Sequence, residues 1–243
     1  MEPARTFGWL ELAVGRDQAL AWASDEVTMA FGLGPPLGGA DINDRLVEVL
    51  RDPRLSIEAL RRCRQVHGAR ILLTDPTGPP ILEVGDGDGL ATASPGVGLA
   101  IVTADCVPVL VAGGGAVAAI HAGWRGCATD VAGAAVETLE TALGVTPSDL
   151  RIALGPAVCG GCYRVGPEVS AALRRWGVDE AGWRQDDRVD LRAFLRGRFA
   201  ALGVPTNRIE TVGGCTVESA GLASYRRDGA NAGRQWSMVV LHI

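Results

Sequence analysis

Short apolar runs, each ended by glycine, proline or charge, set the rhythm of the chain. WLELAV, ALAWA and VTMAF, within residues 9–31, read as short strands joined by charged turns. NDRLVEVLRDPRLSIEALRRCRQV (43–66) has apolar positions at helical spacing, interrupted at Pro53. It predicts two short helices, or a helix and a loop, ending near Gln65-Val66-His67-Gly68. ARILLT (69–74) reads as a strand, TDPTGPP as a loop, GDGDGLAT (85–92) as turn-rich and GLAIVTA (98–104) as a buried strand. VLVAGGGAVAAI (109–120) has the form of a hairpin. CATDVAGAAVETLETAL (127–143) predicts a helix that begins just past GWRG and stops at Gly144.

Further on, RIALGP reads as a strand, and GPEVSAALRRWG and VDLRAFLRGRFAALG as amphipathic helices closed by glycine. The remainder predicts two strands around a polar, arginine-rich loop. Strands and helices intermix without a βαβ rhythm, so the pattern predicts an α+β architecture. No linker divides it, which leaves one domain over residues 1–243.

Composition narrows the function. The chain is 47% hydrophobic and 21% charged, ordinary for a well-cored protein, and its net charge of −5 argues against a nucleic-acid partner. It contains no lysine. Schiff-base chemistry and a P-loop lysine are therefore excluded, and any anion must be held by arginine, backbone N–H groups or a metal. The start, MEPARTFGWLELAVG, lacks a signal-peptide core. Residues 96–124 are long and apolar, but Asp105, Pro108 and Gly113-Gly114-Gly115 divide them into strands and a turn rather than a membrane helix. A cytoplasmic protein is expected, with its six cysteines reduced. Either a monomer or a homodimer is compatible with this.

Chemistry gathers around the hairpin. A two-residue turn at Gly113-Gly114 would set Cys106 opposite His121, one of three histidines, while a three-residue turn would leave them adjacent. Cys106 could then be a thiolate nucleophile with His121 as its base, or both could bind zinc with a third ligand from elsewhere. A buried core thiol beside a core histidine is the alternative. Arg125, at the start of the expected helix, suggests an anionic ligand.

QVHG (65–68), TADCVPVL (103–110), HAGWRG (121–126), GPAVCGGCYRVGPEV (155–169) and SYRRDG with GRQ (224–229, 233–235) occur in that order. Together they resemble the YfiH/laccase-domain family, the multicopper-oxidase-like, purine nucleoside phosphorylase group also labelled peptidoglycan editing factor. The resemblance runs from about residue 60 to the C-terminus. It implies a mixed-sheet α/β/β/α sandwich and a catalytic zinc on His67, Cys106 and His121. It further implies phosphorolysis of adenosine, inosine and methylthioadenosine, with adenosine deamination as a side activity. Copper-dependent polyphenol oxidation is also described for members. A distant kinship with cysteine hydrolases keeps open a Cys106–His121 amidohydrolase acting on a peptidoglycan precursor. The first 60 residues depart from the family: its glycine-serine turn and Tyr…Asn-Leu stretch are replaced by MAFGLGPPLGG, and the loop after PVLV has glycines where an acid is common.

Within that framework Arg125, Arg226 and Arg227 are the candidates for phosphate, since arginine offers a bidentate match. Gln65 and Tyr163 are candidates for base or sugar. Asp105 would orient His67 or His121, or close a turn. Trp124 reads as packing, and Cys63, Cys127, Cys159, Cys162 and Cys215 as structural. A non-enzymatic domain with a structural zinc is the bland alternative.

Overall fold

The apolar runs pair into two sheets. The computed structural model describes residues 8–15, 17–34 and 42–242, so the expectations for the first seven residues and for residues 35–39 of the divergent stretch fall outside the described residues. Its strands are Leu10–Val14 (β1), Asp17–Ala23 (β2), Val27–Gly32 (β3), Ala59–Arg64 (β4), Ile71–Leu73 (β5), Ile81–Asp86 (β6), Gly89–Thr92 (β7) and Val97–Thr103 (β8). Val107–Gly113 (β9), Ala116–Ala122 (β10), Arg151–Leu154 (β11), Arg184–Gln185 (β12), Arg188–Val189 (β13), Ile209–Thr211 (β14) and Gln235–Leu241 (β15) follow. The α-helices are Ile42–Arg51 (α1), Trp124–Ala128 (α2), Val131–Leu143 (α3), Pro167–Arg174 (α4), Leu191–Ala201 (α5) and Tyr225–Asp228 (α6).

One sheet has the order β1-β2-β3-β15-β8-β4-β6, the other β14-β11-β9-β10-β7-β5, and β12-β13 form a separate ribbon. Both large sheets are mixed: β4 runs parallel to β6 and β8, and β5 parallel to β7, amid antiparallel pairs. Met29, Phe31, Leu99 and Val239 of the first sheet meet Leu110, Val117 and Ala153 of the second in a shared apolar layer. Leu46 and Val49 of α1 cover the outer face of the first sheet. Leu139 of α3 and Phe194 of α5 cover that of the second. The order helix, sheet, sheet, helix is the mixed sandwich that the family resemblance implies. Because both sheets are covered on both faces, β8, β9 and β10 read as nearly continuous apolar runs without alternation.

Several elements differ from the sequence expectation. GDGDGLAT, read as turn-rich, holds the end of β6 and all of β7. The second half of the 43–66 stretch is the strand β4, with Arg61 wholly buried in it. Its guanidinium donates to the carbonyls of Leu60, Asp75, Pro76, Thr77 and Pro79, so an arginine occupies a core position that periodicity assigns to solvent. The helix expected over 127–143 begins earlier and is broken: α2 contains Trp124 and Arg125, and Asp130, at φ +64, separates it from α3. Asp130 also caps α3 at Gly133 and pairs with Arg198, interactions that stabilise the break. The hairpin turn lies at Gly114-Gly115, both with positive φ as a tight primed turn requires.

Candidate metal centre

The later turn moves the register by two positions, placing His121 opposite Pro108 rather than Cys106. A shift of two keeps every side chain on its expected face. Cys106 therefore lies diagonally beyond His121, just before β9, where the chain crosses from the first sheet to the second. Asp105, at φ +85, makes that crossing. His121 is the buried penultimate residue of β10, and His67 follows β4 at φ +61. A histidine in the left-handed region is uncommon and persists only where its surroundings hold it.

Asp88 holds it. Its carboxylate accepts the backbone N–H groups of Val66, His67 and Gly68 at 3.3, 2.8 and 2.6 Å. The same carboxylate accepts the Nδ1–H of His121 at 2.8 Å, and the Asp88 carbonyl accepts the His121 N–H. With Nδ1 so engaged, Nε2 is the atom that His121 can offer a metal. Gly123 closes the site, since a Cβ there would lie 2.9 Å from Cys106 Sγ and 3.4 Å from His67 Cδ2.

The donor atoms of His67, Cys106 and His121 all lie within 4.8 Å of one another, and the two imidazoles meet edge to face at 4.8 Å between centroids. Burial works to raise the Cys106 thiol, but the flanking His121 and His67 rings outweigh it and bring the thiol down to about 7. Burial works against protonated His121, but hydrogen bonds to Asp88 and Cys106 raise it to about 9. Burial would likewise raise Asp88; its bonds from His121 and the Gly68 and His67 amides hold it below the usual carboxylate range. A thiol readily ionised beside two imidazoles suits a borderline-soft cation such as zinc. The set fits the metal that the resemblance implies.

Around this cluster lies an open cleft of about 640 Å³, within the usual small-molecule range of roughly 300–1,000 Å³. Gln65, Asp105, Arg125, Tyr163 and Arg226 all line it. Arg226 stacks its guanidinium 5.1 Å over the Tyr163 ring and donates to the Arg164 carbonyl. Arg125 lies 4.5 Å over Trp124. Gln65 is engaged elsewhere: its carboxamide brackets the backbone of Val102, donating to the carbonyl at 2.7 Å and accepting the N–H at 2.8 Å. Asp105 accepts Thr216 Oγ1–H and the Arg226 N–H, both at 2.6 Å, and so shapes a turn while Asp88 orients His121. Arg227 is absent from the cleft lining. Its guanidinium donates to the carbonyls of Thr216, Val217, Ser219 and Leu222 and pairs with Asp228.

Asp88, Thr103 and Arg234 are the residues that the sequence did not single out. Asp88 sits in GDGDG, where composition signals only a turn. Thr103 lines the cleft and is 2% exposed, and its hydroxyl has no partner among the described residues. Arg234 lines the cleft from the segment before β15.

The two-sheet sandwich is the fold of YfiH-type proteins. The crystal structure of YlmD from Geobacillus stearothermophilus matches with a TM-score of 0.75 and 30% identity, covering 100% of this chain and 98% of that one. That of the hypothetical protein YfiH from Bacillus licheniformis matches at 0.78 and 25% identity, covering 88% and 92%. The chain belongs to the family described as multi-copper polyphenol oxidoreductase laccase, whose model matches residues 40–242. A purine nucleoside phosphorylase of Deinococcus radiodurans is 36% identical over 182 residues, 74% of this chain and 69% of the relative. The purine nucleoside phosphorylase YlmD of G. stearothermophilus is 35% identical over 215 residues, 80% and 76% respectively. No helix among the described residues is long and apolar enough to cross a membrane.

Proposed function

We propose that this chain is a metal-dependent purine nucleoside phosphorylase, acting on adenosine, inosine and methylthioadenosine, with adenosine deamination as a side reaction. One observation carries the reading: the His67, Cys106 and His121 donors converge within 4.8 Å at a cleft that also presents arginines. Those three residues would hold one zinc ion, which supplies Lewis acidity when bound. Three protein ligands with an open side are the mark of a catalytic rather than a structural site.

The chain's own groups divide the remaining work. Arg226 and Arg125 attract and align phosphate, and the Tyr163–Arg226 stack fixes the approach of one guanidinium. Asp105 holds the backbone at Arg226, so the carboxylate acts on the reaction through that arginine. The cysteine relay is legible in the same geometry as a second reading. Cys106, His121 and Asp88 stand in nucleophile, base and orienting positions, the arrangement a cysteine amidohydrolase uses. Multi-copper oxidation has the least support, because the third histidine, His242, bonds Thr28 Oγ1 at 2.8 Å and lies outside the cluster.

Base release from inosine tests the proposal. Hypoxanthine release by the zinc-loaded protein should require phosphate and should fall by about 1,000-fold or more in Cys106→Ala. Release independent of phosphate rejects phosphorolysis. No release, together with loss of an amidase activity on alkylation of Cys106, would favour the cysteine hydrolase.

A further inference from the structure

Cys159 and Cys162 form a C-x-x-C pair, and Cys215 and Glu218 repeat the same spacing with a carboxylate in the second place. The fold brings these two pairs together. Ala157 and Cys215 form an isolated parallel bridge, and the Thr216 N–H donates to the Ala157 carbonyl at 3.1 Å. The Cys162 and Tyr163 N–H groups both donate to the Cys159 carbonyl at 3.0 Å, a tight turn that returns the second thiol beside the first. The Cys159 N–H donates to Cys215 Sγ at 3.3 Å, and Cys162 Sγ lies 3.5 Å from Glu218 Oε1. All four donor atoms fall within 4.8 Å of one another, and all six cysteines are free. None of the four residues lines the cleft around His67.

From this arrangement we propose that Cys159, Cys162, Cys215 and Glu218 bind a second metal ion, a structural zinc separate from the His67–Cys106–His121 centre. Three sulfur donors select a soft or borderline cation over calcium or magnesium. Four protein ligands complete a tetrahedron and leave no open position, which suits a structural role. Paired short spacings from two separate loops are the usual way such sites are assembled. The ion would fasten the 155–163 loop to the 213–219 loop. The first carries Tyr163, and the second carries Thr216, whose hydroxyl bonds Asp105.

Metal counting on the full-length protein, purified with reductant, tests it. Wild type should hold about two equivalents of zinc, and both Cys106→Ala and Cys162→Ser about one. With cobalt in place of zinc, the sulfur-to-metal charge-transfer absorption should survive in Cys106→Ala and fall steeply in Cys162→Ser, because three of the four sulfur ligands belong to the second site. Glu218→Ala, at an exposed position, guards against a folding defect; it should lose its second equivalent to a chelator that wild type resists. A single wild-type equivalent that Cys106→Ala removes would overturn the proposal. So would a second equivalent that resists the chelator equally in Cys162→Ser and Glu218→Ala, or a Cys159–Cys162 disulfide in freshly lysed protein.

Discussion

Asp88 anchors the loop of His67 and the ring of His121. It is fully buried, and one carboxylate serves three amides of the QVHG segment and the ring of His121. Two of the three clustered side chains, His67 and His121, therefore depend on it. Asp88→Asn keeps the volume and one acceptor oxygen but removes the charge. It should weaken metal binding by about 10–100-fold while leaving the fold intact, as read by competition with a chelating dye and by circular dichroism. Unaltered affinity would reduce Asp88 to a fastener of the loop. The convergence of His67, Cys106 and His121 is legible because histidine is rare here and each of the three lies in a distinctive block. Asp88 is not, because a carboxylate between glycines carries the signature of a turn whether or not it reaches a metal ligand.

Among the elements, the strands and helices whose apolar period matched their surroundings are legible, and the exceptions have local causes. β4 looks helical because Arg61 interrupts its apolar pattern, and only the carbonyl-lined pocket formed by residues 75–79 makes that burial tolerable. Arg61→Met fills similar volume yet strands several carbonyls. It should cost about 3 kcal/mol in chemical denaturation, and a loss below about 1 kcal/mol would mean that water replaces the guanidinium. The 3-10 turn Glu180–Gly182, just before the β12–β13 ribbon, is joined to α4 by charge. Hydrogen bonds from Arg174 and Arg184 bring Glu180 down to about 2, against an ordinary value of 4.5. A depressed carboxyl stabilises the fold fully above its unfolded value and loses that contribution as pH falls toward its folded one. The stability difference between wild type and Glu180→Gln should therefore be constant above pH 4.5 and vanish by about pH 2. A difference that persists unchanged at pH 2 would contradict this. Salt should shrink it at neutral pH, because the pair is exposed.

For the whole molecule, the mixed α+β character follows from periodicity, but the stacking of two sheets does not. Runs such as GLAIVTA and VAAIHA say that a strand is covered on both faces and leave open which layer covers which. The His67–Cys106–His121 cluster lies where that ambiguity is resolved: His67 follows a strand of the first sheet, His121 is next to last in one of the second, and Cys106 lies on the crossing between them. Its assembly thus reports that the two sheets have docked correctly.

The position of β15 has a consequence during synthesis. The strand nearest the C-terminus lies inside the first sheet, hydrogen-bonded to β3 on one side and β8 on the other. On a ribosome, residues 27–32 and 97–103 emerge long before residues 235–241. At typical translation speeds the interval is on the order of ten seconds. Throughout it β3 and β8 each present an unpaired apolar edge, the kind of template on which chains mispair. The nascent protein must be kept from its neighbours until β15 arrives to zip the sheet shut.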